Sequence, residues 1–191
     1  EDLKITPTIG PLPLSLPGPY AVGFQRMIKY VDERRSNREV VLSLWYPAIP
    51  PADTAGKQTF DDAAPDLSGA PYPLVLSSTK MGFDFAPILA SYGFVVAGVN
   101  GQDSKDEWGQ WLIDFPLDQL FALDQLSLYP PEGLDGVIDT DHAGAMGYSF
   151  DGYDALALSG ARVDPEYYLA KCASASSNEQ PLPEWWVEYI C

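Results

Sequence analysis

HAGAMGYSFDGYDALALSGA, residues 142–161, passes from a run of small and apolar residues, through a serine flanked by glycines, into a stretch with helical spacing. How Ser149 is read decides the fold. A strand that ends in G-x-S and turns at once into a helix is a nucleophile elbow, in which a sharp turn lifts the serine hydroxyl clear of the sheet. Glycine is expected two residues before and two after the serine, where a Cβ would run into the adjacent strand or helix. Gly147 meets the first expectation. The second position is Asp151, and Gly152 comes one residue late. A solvated serine in a tight turn would use the same letters, so the surrounding chain must decide.

Upstream, LVLSST (74–79) has the length of a buried strand, FAPILASYG (85–93) is a helix closed by Gly93, and FVVAGVN (94–100) is a second buried strand. PLDQLFALDQLSLY (116–129) has apolar residues at 117, 120, 121, 123, 126 and 128, a helical stripe with proline in its first turn. The strand HAGAMGYS (142–149), the helix DGYDALALSGA and a short helix DPEYYLAKC (164–172), opened by Asp164 and Pro165, follow. Nearer the N-terminus, AVGFQRMIKYVD (21–32) and REVVLSLWYPA (38–48) flank a DERRSN turn and predict an antiparallel hairpin. Residues 49–73 read as irregular. The expected fold is α/β, a mostly parallel sheet with an antiparallel start, its parallel strands covered on both faces.

The 191 residues divide into a proline-rich arm (1–20) that would wrap the surface, a domain segment (21–172), and a cap or linker segment (173–191). With 46% hydrophobic residues the chain can build a core, and no apolar run nears the roughly 20 residues that span a bilayer. A net charge of −16, from 27 acids and 11 bases, repels nucleic-acid phosphates and excludes nucleic acid as a partner. The opening EDLKITPT carries neither an initiator methionine nor a signal peptide, as expected of a mature secreted or periplasmic protein and equally of a trimmed chain. Cys172 and Cys191 lie in one proline-rich C-terminal segment, a spacing that suits a disulfide between them or from one of them to another segment. A single histidine argues against zinc, and the DTD of 139–141 lacks the glycine-turned loop of a calcium site; no cofactor is expected.

Five segments in order, SLWYPA, PLVLSS, LASYGFVVAGVN, FPLDQLFALDQL and DTDHAGAMGYSFDGYDALALSGARVDP, resemble the bacterial predicted dienelactone hydrolase and platelet-activating-factor acetylhydrolase-like branch of the α/β-hydrolases, over about residues 17–172. The resemblance implies the α/β-hydrolase fold and a small-molecule ester substrate. It implies Ser149 as nucleophile, with the N–H groups of Phe150 and Met81 as the oxyanion hole. The family's loop after the third strand is S-H-G-x-G, whereas STKMG (78–82) has Thr79 and Lys80 in place of histidine and glycine. Lys80 and Asp151, the two departures from glycine, fall in segments that should face each other. They would form an ion pair at the oxyanion rim or stand independently solvated there.

A serine hydroxyl needs a base, and a histidine held by a carboxylate is the usual one. His142, the only histidine, precedes Ser149 by seven residues on the same expected strand, about 23 Å away at about 3.3 Å per residue, and is read as a surface residue. In the family the acid and the histidine follow the elbow. A second segment is therefore expected to complete the sheet and the triad, along an edge that the last strand would otherwise leave open; a short homologue with that edge covered is the alternative. NEQPLPEWWVEYIC (178–191) would line an acyl pocket or pack on the core. The two functions that follow are a serine ester hydrolase and a catalytically inactive α/β-hydrolase scaffold used in binding or assembly.

Overall fold

The computed structural model describes residues 16–52, 54, 56–101, 108–149, 151–175, 183, 184, 187 and 191, with backbone alone at 81, 84 and 108–110. The arm expected at 1–20 therefore enters only through its last residues. These lace onto the end of a helix: Gly18 N donates to Ser91 Oγ (2.7 Å) and the Tyr92 hydroxyl donates to Leu16 O (2.9 Å).

The hairpin forms as expected. β1 (Ala21–Asp32) and β2 (Arg38–Ala48) pair antiparallel from Ala21↔Ala48 to Asp32↔Arg38. The turn is a short 3-10 helix, Glu33–Arg35, capped by Asp32, which accepts from Arg34 N. Ser36 and Asn37 then take φ of 55° and 57°, the left-handed region that Asn tolerates well. The stretch read as irregular holds a three-residue strand, β3 (Thr59–Asp61), parallel to β1, and the start of β4 (Tyr72–Ser78). With Phe60 as its one buried side chain, β3 is too short to show an alternation.

Both following helices begin earlier than predicted. α1 is Thr79–Ser91, so STKMG is its first turn and not a loop. Gly82, Ala86 and Ala90 form a stripe of small residues at helical spacing; both alanines are fully buried, and a Cβ on Gly82 would come 2.7 Å from the Trp45 ring. The small stripe lets α1 settle closely on the sheet. Beyond β5 (Val95–Val99), buried at every residue, α2 spans Trp108–Leu128 with Pro116 inside it and not in its first turn. Trp111 and Phe115 stack with centroids 5.0 Å apart, and their packing carries the helix upstream of the proline. The residues that bury against the sheet are Phe115, Ala122 and Leu126; Leu117, Leu120 and Leu128, expected on that stripe, are 41%, 44% and 66% exposed.

The six strands lie in the order β3-β1-β2-β5-β4-β6, with β5–β4, β4–β6 and β1–β3 parallel. Trp45, Phe24, Val22 and Val96 pack with α1 on one face; Leu42, Leu44, Leu74, Leu76 and Val95 pack with Phe115, Ala122 and Leu126 of α2 in the other cluster. β6 (Ile138–Ala145) starts and ends four residues before the expected strand, because Met146–Ser149 belong to the turn. It is the sheet edge, and Asp141–Gly144 are exposed. Coverage on both faces thus fails at this strand, which among the described residues has a neighbour on one side alone. α3 (Asp151–Leu158) and α4 (Pro165–Ala173) follow, α4 capped by Asp164, which accepts from Tyr167 N (3.0 Å). Cys172 on α4 is disulfide-bonded to Cys191, with Cα atoms 5.3 Å apart. Trp185, Trp186 and most of the expected cap lie outside the described residues. Among the described residues no helix is long and apolar enough to cross a membrane.

Candidate active site

Parallel β4 and β6 bring two chain reversals to the same end of the sheet. β4 runs from Ser78 directly into α1. β6 keeps one more ladder bond, Met146 N to Leu76 O at 2.9 Å, and then turns sharply into α3. Ser149 sits in this turn at φ 59°, exposed, with its carbonyl accepting from Gly152 N at 3.0 Å. Few non-glycine residues hold that conformation, and it costs about 1–2 kcal/mol. Ser149 thus stands exposed at a sharp strand-to-helix turn, in a backbone conformation that favours glycine.

The glycine pattern has a specific cause. A Cβ on Gly147 would overlap the carbonyl of Asp151, so the first glycine is a steric requirement of the turn. A Cβ on Gly152 would meet nothing closer than Gly147 O at 3.8 Å, an ordinary contact. At the second expected glycine, Asp151 fits because its side chain turns inward: Ser78 Oγ donates to Asp151 Oδ2 at 2.5 Å, and both residues are buried. Asp151 is therefore not the solvated rim residue that was one expectation from sequence.

Ser78, Lys80 and Asp151 share the wall of one cavity of about 230 Å³ with Asn100 and the aromatic side chains Phe83, Trp111 and Phe115. The cavity opens beyond the carboxyl ends of β4 and β5, where open α/β sheets bind ligands. Ser149 is not among its walls. Phe83 stands edge-on to Trp45 at 5.3 Å and is 59% exposed, forming an aromatic lip. Met81 lies in the first turn of α1, next to Lys80; Phe150 lies outside the described residues.

His142 is placed away from the turn. Asp139 pairs with Pro73 and Ala143 with Leu74, so Thr140, Asp141 and His142 bulge out between consecutive ladder rungs near the start of β4. Asp139 closes the bulge, accepting from the N–H groups of Asp141 and His142, and lies 2.8 Å from His142 Nδ1. The hydrogen bond from His142 holds its carboxyl below the usual range.

One residue that sequence reasoning missed lies one helical turn beyond Asp151. Asp154 is 1% exposed, and neither carboxylate oxygen has a hydrogen-bond partner among the described residues. Burial first, and then the charge of Asp151, push its carboxyl up to about 7. The spacing of the two acids, three apart at a helix start, was visible in DGYD, but not that both point inward.

Among solved structures, the chain is similar to the ferulic acid esterase from Streptomyces cinnamoneus, at 22% identity and a TM-score of 0.58. The fold is of the α/β-hydrolase type. The alignment covers 76% of this chain and 57% of the esterase, so the chain spans little more than half of that protein's length. No family model matches this chain, and no curated protein matches it in sequence.

Proposed function

We propose that this chain carries the nucleophile and the oxyanion pole of a serine carboxylic-ester hydrolase, of the branch that its sequence resembles. The observation behind this reading is the left-handed Ser149 between β6 and α3, with Gly147 pressed against Asp151. In this reading Ser149 Oγ attacks the ester carbonyl carbon while a base takes its proton. The developing oxyanion accepts from the N–H groups of Phe150 and Met81. The alcohol leaves with that proton, and water releases the acid from the acyl-serine. In this reading Lys80, on the same cavity wall, pairs with Asp151 and offsets a carboxylate that would otherwise raise the barrier.

The base comes from a second segment that adds to the open edge of β6, since the chain's one histidine is held in the bulge by Asp139. An ester of a small aromatic acid suits a cavity of about 230 Å³ walled by Phe83, Trp111 and Phe115. A disulfide fits secretion or a periplasmic location. A fluorophosphonate probe tests the assignment. Covalent labelling at Ser149, abolished in S149A, supports it; intact protein that stays unlabelled beside a labelled control esterase overturns it. That outcome would favour the inactive scaffold, to which the buried Asp151 at a usual glycine position already lends weight.

A further inference from the structure

The first turn of α3 directs two carboxylates, Asp151 and Asp154, into the protein, where the helix packs against α2, β4 and β6. Asp151 has the Ser78 hydroxyl. Among the described residues Asp154 has no partner at either oxygen, and it is almost without contact with water. An ionised carboxylate there would lose its hydration, gain no donor and face a second negative charge, whereas a carboxylic acid buries only a dipole.

Neighbouring elements do not relieve this. On α2, Asp118 is bound by Arg35 and Arg38, Asp114 lies within 4 Å of both, and Asp124 is exposed. β4 contributes Tyr72, which donates to Asp66 O, and Ser77 and Ser78, which carry no charge. On β6, Asp141 and His142 lie in the bulge that Asp139 closes. Beside Asp154 on α3, Tyr153 is a neutral phenol that burial, and then Asp154, push upward. Lys80 of α1 lies on the cavity wall that Asp151 shares, and among the described residues the charge that raises the Asp154 carboxyl is that of Asp151.

We propose that Asp154 is a neutral carboxylic acid in the folded protein and that its proton seats α3 against the sheet, so that losing it loosens the helix that anchors the Ser149 turn. The joint is then proton-sensitive, whatever chemistry Ser149 performs. The folded chain keeps this proton to about pH 7, while an unfolded aspartic acid releases it near pH 3.9, roughly. Stability from this group is therefore present at low pH, declines as pH rises from about 4 to about 7, and is flat above that.

The whole chain, isotopically labelled, tests the proposal by carboxyl carbon NMR and amide hydrogen exchange. The Asp154 carboxyl should titrate near pH 7. After correction for intrinsic chemistry, the amides of Gly152–Leu158 should exchange about tenfold faster at pH 8.5 than at about pH 6, and D154N, a permanent mimic of the neutral acid, should lack that difference. A carboxyl that titrates near the ordinary value of about 4 overturns the proposal, as does the same pH response in D154N. If D154N does not fold, the carboxyl titration of the native chain decides alone. Neither measurement depends on esterase activity, so failure here is distinct from failure of the probe to label Ser149.

Discussion

Ser78, the last residue of β4, donates a 2.5 Å hydrogen bond to Asp151, the first residue of α3, and this bond links the two segments that flank the candidate oxyanion site. Ser78→Ala removes a donor from a buried carboxylate and should cost about 1.5–3 kcal/mol in urea unfolding, the range for hydrogen bonds to charged groups. Asp151→Ala should cost less in the S78A background than in the native chain, because the two share one interaction. Additive costs would show that the bond contributes nothing.

The three residues of the turn separate by backbone chemistry. Gly147→Ala drives a Cβ into the Asp151 carbonyl and should cost about 3 kcal/mol or more, or prevent folding. Gly152→Ala meets an open position inside the first helical turn and should be neutral or stabilising by up to about 1 kcal/mol. Ser149→Gly relieves a φ of 59° and should melt higher than Ser149→Ala, by about 1 kcal/mol of stability. Thermal unfolding of the variants checks this ranking, and equal effects at 147 and 152 would contradict the turn geometry.

These effects show what the sequence could and could not disclose. The hairpin was legible because two runs rich in β-branched and aromatic residues flank a polar turn, β5 because it is a short apolar run, and the strand-to-helix turn at Ser149 because Gly147 answers to one contact. The early starts of α1 and α2 were hidden: their first turns are held by tertiary packing, Gly82 against Trp45 and Trp111 on Phe115, and Pro116 argues locally against a helix. The leucines of α2 misled for a related reason, since Asp118 and Gln119 occupy buried positions on that helix while Leu117 and Leu120 face outward. Asp118 can be buried only because two arginines distant in sequence reach it. Asp154 was illegible because a buried acid and a solvated one look alike in sequence.

The Cys172–Cys191 bridge closes a loop with a sequence separation of 19. Reduction should lower stability by about 3 kcal/mol through the freedom regained by the unfolded chain. Alkylation under non-reducing denaturing conditions should modify neither cysteine, and mass spectrometry showing two alkylated thiols would refute the bridge. Because the bridge ties α4 to the C-terminal residue, C172S with C191S should leave the core near Leu74 and Val95 protected from hydrogen exchange while α4 loses protection.

The hairpin turn is clamped to α2 by charge. Arg35 reaches Asp32 at 2.6 Å and Asp118 at 2.7 Å, and Arg38 grips both oxygens of Asp118 at 2.8 and 2.9 Å. Asp118 is 3% exposed and takes both arginines, so Asp118→Ala removes charge-assisted hydrogen bonds from each while Asp32 and Asp114 stay beside them, and should cost about 1.5–3 kcal/mol. Asp32 supplies a pH signature. The hydrogen bond from the Arg35 side chain, helped by the N–H of Arg34, holds its carboxyl below the usual range against an opposing effect of burial. A carboxyl depressed in the folded state binds its proton more readily when unfolded, so its contribution is complete above about pH 4 and is lost as pH falls through the folded value. The stability difference between native chain and D32N should accordingly be constant from about pH 5 upward and shrink below about pH 4, opposite in sign to the trend expected for Asp154. Urea unfolding of both chains between pH 3 and 7 measures it, and a difference independent of pH would mean that Asp32 holds the turn by shape alone.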